Sequence, residues 1–137
     1  MDRNARSANL PDADRVAAVV VLSIFTFMTG IWLIIARFAV DYRDTGDGFN
    51  GYWNSAVVGA GIAALAAARF LTPVRSASLS LLTVVLGLWL IAAPFALSYN
   101  DGRDALGATV HDIVVGLIVS VLATMAWRSR PTAHHSP

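Results

Sequence analysis

Four long apolar segments alternate with short polar ones along the chain, at residues 15–40, 52–71, 77–98 and 109–127. Each is long enough to cross a bilayer, which takes about 20 apolar residues in an α-helix. Because backbone amides find no water to bond to in lipid, helix is the state expected of all four segments. The pattern therefore predicts an all-α protein with four membrane spans.

The second pair of spans repeats the first. A shift of 57 residues (89 − 32 = 57) aligns residues 22–71 with residues 79–128 without a gap, and about 18 of about 50 positions are identical. The segment GIWLI at 30–34 returns as GLWLI at 87–91. Since each copy contains two spans, both copies should insert with the same orientation, related by a pseudo-twofold axis along the membrane normal. We predict an integral membrane four-helix bundle made of two tandem two-helix hairpins in a parallel repeat.

The polar segments set the boundaries. We predict a cytoplasmic N-terminal tail at residues 1–14, a first hairpin at 15–71, a second hairpin at 72–128 and a mobile cytoplasmic tail at 129–137. The two loops within the hairpins carry two arginines, Arg43 and Arg103. The opposite side of the membrane, with the tails, the link at 72–76 and the span ends beside them, carries seven: Arg3, Arg6, Arg15, Arg69, Arg75, Arg128 and Arg130. Because an excess of arginine marks the cytoplasmic side of a membrane, both termini are expected in the cytoplasm.

Composition excludes several classes of function. Hydrophobic residues make up 56% of the chain and charged residues 14%, against about 25% charged residues in soluble domains. Ten basic and nine acidic residues nearly cancel, so no surface for nucleic acid is expected. There is no cysteine for thiol chemistry, and no catalytic or nucleotide-binding motif is present. We therefore expect no enzymatic activity, no cofactor and no metal site.

Aromatic residues gather near the ends of the first and third spans, at the same positions in both copies. Tyr42 and Tyr99 lie where each helix should leave the membrane, as in a belt of aromatic rings at the lipid headgroups. The candidates for contact with a lipid or a partner are Trp32, Arg37, Phe38, Tyr42, Trp89, Pro94, Phe95, Tyr99 and His111.

The two copies differ at two of these places. Arg37 stands where the second copy has Pro94; the arginine can reach the interface and pair with Asp41, whereas the proline should bend or shorten the third span. The polar pairs at 54–55 and 111–112 open the second and fourth spans, and we interpret them as helix caps, with His111 a bystander. A specific site is expected where the copies disagree.

Small residues predict which helix faces pack together. Glycine, alanine and serine four residues apart let two backbones approach closely, which is what holds helices together in lipid. The residues expected at helix contacts are Gly30, Gly59, Ala63, Gly87, Gly116 and Ser120.

Short motifs recur in both copies. G-x-W-L occupies 30–33 and 87–90, and Val-Val-Gly occupies 57–59 and 114–116. Ala-Pro-Phe at 93–95 stands where the first copy has Ala-Arg-Phe at 36–38. In these motifs the chain resembles the SPW repeat family of small membrane proteins, although Ala-Pro-Phe replaces the family's Ser-Pro-Trp signature. The resemblance implies a multi-pass protein of a bacterial or archaeal plasma membrane, and it implies no particular activity.

Three functions remain open on the sequence alone. Apart from Arg37, no charged residue is expected deep in a span, since Asp112 is placed at the start of the fourth one. Pumps and coupled transporters carry ionisable groups deep in their spans, so the sequence argues against these two classes. The leading hypothesis is a non-enzymatic scaffold or accessory subunit that binds lipids and another membrane protein, or a second copy, through its helix faces. The alternatives are a small oligomeric transporter or channel, and a respiratory subunit whose Arg37 and His111 contact quinone or haem.

Overall fold

Four α-helices make up the fold. The structure, a computed structural model, describes residues 3–39, 51–71, 76–98 and 105–128 of the chain. The helices are α1 (Arg3–Ala39), α2 (Gly51–Leu71), α3 (Ser76–Ala96) and α4 (Ala105–Arg128). Each is long and apolar enough to cross a membrane, and no strand occurs within the described ranges. The prediction of an all-α, four-span bundle is confirmed.

Two helices begin earlier than the apolar pattern predicts. α1 starts at Arg3, so most of the predicted N-terminal tail is helical, although the stretch suited to the membrane is Ala13–Ala36. α4 starts at Ala105, ahead of the predicted start at residue 109. Starting a helix is unfavourable, but extending an existing one is much less so. The polar residues before each span therefore continue the helix that the span has already formed.

Regular helix ends soon after Pro94, which lies buried inside α3. Proline has no N–H to donate, and its ring crowds the carbonyl one turn earlier. The helix stops at Ala96, after which Leu97 N–H donates to the Ala93 carbonyl (2.9 Å). Ser98 then takes a φ of 55°, in the left-handed region where helices commonly terminate. The third span is therefore slightly shorter than the predicted 77–98.

The helices form two antiparallel hairpins, α1 with α2 and α3 with α4. Packing is closest within each hairpin, while α2 meets α3 and α1 meets α4 along less extensive faces, so the four helices form a ring in chain order. We call the end where α1 and α3 finish the loop end, and the opposite end, where α2 and α4 finish, the terminal end.

Each hairpin is closest at a pair of glycines. A Cβ atom added to Gly59 would lie 2.9 Å from the Gly30 carbonyl oxygen, and one added to Gly116 would lie 2.6 Å from that of Gly87. Ala63 borders the first crossing and Ser120 borders the second. The six small residues named above as helix contacts thus lie at two equivalent crossings, where the absence of side chains brings the backbones together.

An apolar layer fills the middle of the bundle. The layer contains one fully buried large apolar side chain from each helix: Leu33, Ile62, Leu90 and Val119. Leu33 and Leu90 are equivalent in the two copies, as are Ile62 and Val119. Buried side chains in direct contact leave little free volume between them, so the bundle axis is occupied at this level.

Polar side chains lie on the terminal side of this layer. Thr26 and Thr83, again equivalent, donate to the carbonyl oxygens four residues earlier in their own helices, each at 2.8 Å. A hydroxyl satisfied in this way can be buried without a partner from another helix.

Arg69 is buried at the terminal end, with 1% of its surface exposed, and its Nη2 donates to Ser80 Oγ at 3.0 Å. The distribution of arginines assigns it to the basic side of the membrane, beside the link between the hairpins. The second copy has Ala126 at this position, so the guanidinium breaks the pseudo-twofold symmetry. Arg69 therefore lies inside the bundle and not in the link.

Candidate functional site

Polar side chains from all four helices meet at the loop end. The loop-end cluster consists of Trp32 from α1, Asn54 and Ser55 from α2, Trp89 from α3, and His111 and Asp112 from α4. Asn54, Ser55 and Asp112 are each at most 1% exposed. Burying such groups is unfavourable unless they form hydrogen bonds, so their partners decide whether the cluster is stable.

Ser55 and Asp112 form the centre of the cluster. The Ser55 hydroxyl lies 2.9 and 2.8 Å from the two carboxylate oxygens of Asp112 and donates to them. The two residues occupy the same position in the two copies (112 − 55 = 57), so their contact lies on the pseudo-twofold axis. One copy supplies a hydroxyl donor and the other a carboxyl acceptor, so the contact on the axis is not symmetric.

Two tryptophans link the hairpins on either side of this centre. Trp32 Nε1 donates to His111 Nε2 at 3.1 Å, and Trp89 Nε1 donates to Asn54 Oδ1 at 2.9 Å. Trp32 is equivalent to Trp89, and Asn54 to His111. Each indole therefore reaches from its own copy into the other one. The two bonds are the same contact made twice, with a different acceptor each time.

The hydrogen bonds define the state of each acceptor. His111 Nε2 accepts a hydrogen bond from Trp32, which requires the neutral ring to carry its own proton on Nδ1, 3.4 Å from Asp112 Oδ1. Asn54 Oδ1 accepts from Trp89, which orients the amide. Its Nδ2 is buried and has no hydrogen-bond partner among the residues that the structure describes.

The chain matches the family model for the SPW repeat domain over residues 20–126. It belongs to the SPW repeat family. The matched range contains the whole loop-end cluster and both glycine crossings. Comparison with curated proteins and with solved structures gives no match.

Within the second SPW repeat, the assignment of His111 and Asp112 as the cap of α4 is wrong. The helix begins at Ala105, so both residues lie in its second turn. His111 accepts a hydrogen bond from Trp32 and is not a bystander. Asp112 is a fully buried ionisable residue inside the candidate span Leu106–Arg128, contrary to its predicted place at the start of the span.

In the first SPW repeat, Asn54 is likewise inside α2, which begins at Gly51, and it does not cap the helix. A signal for this arrangement was present in the sequence. Both repeats have two consecutive polar residues ahead of the Val-Val-Gly motif, and both have a tryptophan at the matching depth of the preceding helix. Polar residues repeated at one depth of two spans indicate a shared buried contact rather than two independent caps.

The other candidates are only partly described. Trp32 and Trp89 are 49% and 41% exposed, so their ring faces lie on the bundle surface while their N–H groups point inward. Phe95 is exposed at the end of α3. The following parts of the SPW repeats and their flanks lie outside the described residues: the side chains of Arg37 and Phe38, the residues Asp41, Tyr42 and Tyr99, and the tail 129–137.

Proposed function

We propose that this SPW repeat protein is a non-enzymatic accessory or scaffold protein, which binds another membrane protein through the faces of its helices. The observation that carries the proposal is an apolar cavity of about 320 Å³ between α1 and α2, in the terminal half of the bundle. It is lined by Ser23, Ile24, Phe27, Met28, Ala66, Ala67, Phe70 and Leu71.

The chemistry of the cavity favours an apolar occupant. Its polar lining residue is Ser23, whose hydroxyl donates to the Val19 carbonyl at 2.7 Å and so is already satisfied. Ala66 and Ala67 leave the space open, while Met28 and Phe70 stand half exposed at its rim. A large side chain from a partner helix would gain many dispersion contacts there without losing a hydrogen bond.

The cavity lies on a surface that the second repeat does not reproduce. The residues equivalent to Phe27 and Met28 are Val84 and Val85, which are smaller and stiffer. A partner that inserts a side chain beside Met28 would therefore bind one side of the pseudo-twofold axis. Because lipid would contact both repeats in the same way, this difference between them supports contact with another protein at the first repeat.

The filled middle layer supports this function over transport by a single bundle. Leu33, Ile62, Leu90 and Val119 have no exposed surface and occupy the axis. A solute would have to displace all four side chains to pass along it. The transporter hypothesis would require a path between several bundles.

A photo-crosslinking residue in place of Met28 should form adducts with another membrane-protein chain, whereas the same residue in place of Val85 should not. The two positions are equivalent in the repeats and similarly exposed (57% and 52%), so lipid alone would treat them alike. The measurement is mass spectrometry of adducts after illumination of intact membranes. Peptide masses distinguish a foreign protein from a second copy of the chain. Lipid adducts only, or equal protein adducts at both positions, would contradict the proposed function.

We also infer that both termini face the cytoplasm, with the loop end outside, because arginine is concentrated in the tails and the central link. The chain has no cysteine, so single substitutions report cleanly. A membrane-impermeant thiol reagent applied to intact cells should label Ser98→Cys at the loop end and leave Ser76→Cys at the terminal end unlabelled. The reverse pattern would show that the bundle is inserted the other way up.

A further inference from the structure

The loop-end cluster contains two equivalent hydrogen bonds, and only one of their acceptors has a charge that depends on pH. Trp89 donates to the amide oxygen of Asn54, whose charge does not depend on pH, and Trp32 donates to the imidazole of His111. An imidazole nitrogen accepts a hydrogen bond only while it carries no proton. Of the two equivalent contacts, the one between Trp32 and His111 can therefore be switched by acid.

We propose that His111 is a proton-binding site and that the proton it takes up releases the indole of Trp32. The proton comes from water and adds to Nε2, which turns this atom from an acceptor into a donor. Two N–H groups would then face each other across the 3.1 Å that separates Trp32 Nε1 from His111 Nε2. That contact is repulsive, so the hydrogen bond between α1 and α4 is lost.

Asp112 gives the protonated ring a partner. Its Oδ1 lies 3.4 Å from His111 Nδ1, within the distance of an ion pair once the ring is charged, and it has no exposed surface of its own. Proton uptake thus exchanges a neutral hydrogen bond with Trp32 for an ion pair with Asp112. Ser55 holds the carboxylate in place from α2 through both of its oxygens.

The site lies at the surface of the bundle, close to one end of a candidate span. The His111 side chain is 14% exposed, and the residue lies about 8 Å below the start of its candidate span at Leu106, at 1.5 Å per helical residue. Trp32 is already half exposed. A released indole can turn its polar edge toward the headgroups, so the proton alters the lipid-facing surface of α1.

Groups on the surrounding helices affect proton binding by the His111 imidazole. α1 contributes Trp32, α4 contributes Asp112, and α2 contributes Ser55, which binds Asp112. The sequence of α3 contains no ionisable residue. In the sequence, Arg37 and the aspartates and arginines at 40–50 and 99–104 are the charged residues between the helices of each hairpin. Their side chains lie outside the described residues.

Trp32 and Trp89 provide a matched pair for the test. The full chain, labelled with ¹⁵N and placed in lipid nanodiscs, gives one indole N–H resonance per tryptophan, assigned by single Trp→Phe variants. Between about pH 8.5 and about pH 4.5, where imidazoles change charge, the Trp32 resonance should shift reversibly while the Trp89 resonance stays in place. A Trp32 resonance that does not move, or that moves together with that of Trp89, would overturn the proposal.

Two variants identify the histidine responsible. His111→Asn installs the residue that the first repeat already has at this position, so the fold tolerates it, and the Trp32 shift should disappear. His134→Asn with His135→Asn removes the two tail histidines and should leave the shift intact. A shift that persists in His111→Asn, or one that vanishes in the tail variant, would show that His111 does not bind the proton.

Discussion

Gly59→Ala and Gly116→Ala should each lower the free energy of unfolding by about 2 kcal/mol, because each forces a hairpin apart at its closest point. A Cβ atom at Gly59 would lie 2.7 Å from the Leu33 Cβ and 2.9 Å from the Gly30 carbonyl oxygen. At Gly116 it would lie 2.6 Å from the Gly87 carbonyl oxygen. These neighbours are backbone atoms or the first side-chain atom, which no rotamer change can move. The helices themselves must separate, and Leu33 would carry the disturbance into the middle layer.

Gly61→Ala is the matched control for this prediction. Gly61 lies on the same helix as Gly59, but an added Cβ atom would meet only the Leu86 Cδ1 atom, at 3.3 Å. That atom is the end of a flexible side chain and can move aside, so the unfolding temperature should change little. Thermal unfolding in mild detergent, followed by near-ultraviolet circular dichroism, compares the three variants. Equal stability of Gly59→Ala and Gly61→Ala would refute the close glycine crossing.

These crossings belong to the part of the fold that the sequence could predict. Length and apolarity determine the helices, since a membrane leaves the backbone no other way to satisfy its amides. The internal shift of 57 residues determines the pairing into equivalent hairpins. Glycines at corresponding places in successive spans then indicate close backbone approach, because lipid provides no hydrophobic force to join helices with large side chains between them.

The loop-end cluster was harder to predict, because its bonds join residues far apart in the chain. His111 and Asp112 follow a glycine-containing polar loop, which is the usual place for a helix cap. The helix actually begins at Ala105 and carries them into its second turn. No local pattern shows that Asp112 will meet Ser55. The repeat does contain this information, since a residue on a twofold axis must meet its own equivalent.

Arg69 shows a different limit of sequence reasoning. An arginine beside a short basic link is most simply placed in water at the membrane surface. Its burial against Ser80 depends on how α2 and α3 pack, which the pattern of either helix alone does not specify. The second repeat has Ala126 at the equivalent position, which is visible in the sequence. A difference of this kind between two equivalent helices indicates a contact that only one of them makes.

The contact on the axis yields the prediction with the largest expected effect. Ser55→Asp should lower the free energy of unfolding by about 3 kcal/mol or more, because it places a second carboxylate within hydrogen-bond distance of the buried Asp112. Asp112→Ser should cost only about 1 kcal/mol, since two hydroxyls on the axis can still form a neutral hydrogen bond. Both values can be read from thermal unfolding in mild detergent at about pH 7.

The double variant Ser55→Asp with Asp112→Ser separates this explanation from a general intolerance of change at residue 55. It exchanges donor and acceptor across the pseudo-twofold axis and restores one hydroxyl facing one carboxylate. It should therefore recover most of the stability that Ser55→Asp loses, giving a coupling energy of about 2 kcal/mol in the double-mutant cycle. A double variant no more stable than Ser55→Asp alone would mean that the two residues do not meet on the axis. Recovery would show that a hydrogen bond between residues 55 and 112 joins the two repeats at the loop end. It would also show that this bond needs a hydroxyl in one repeat and a carboxylate in the other.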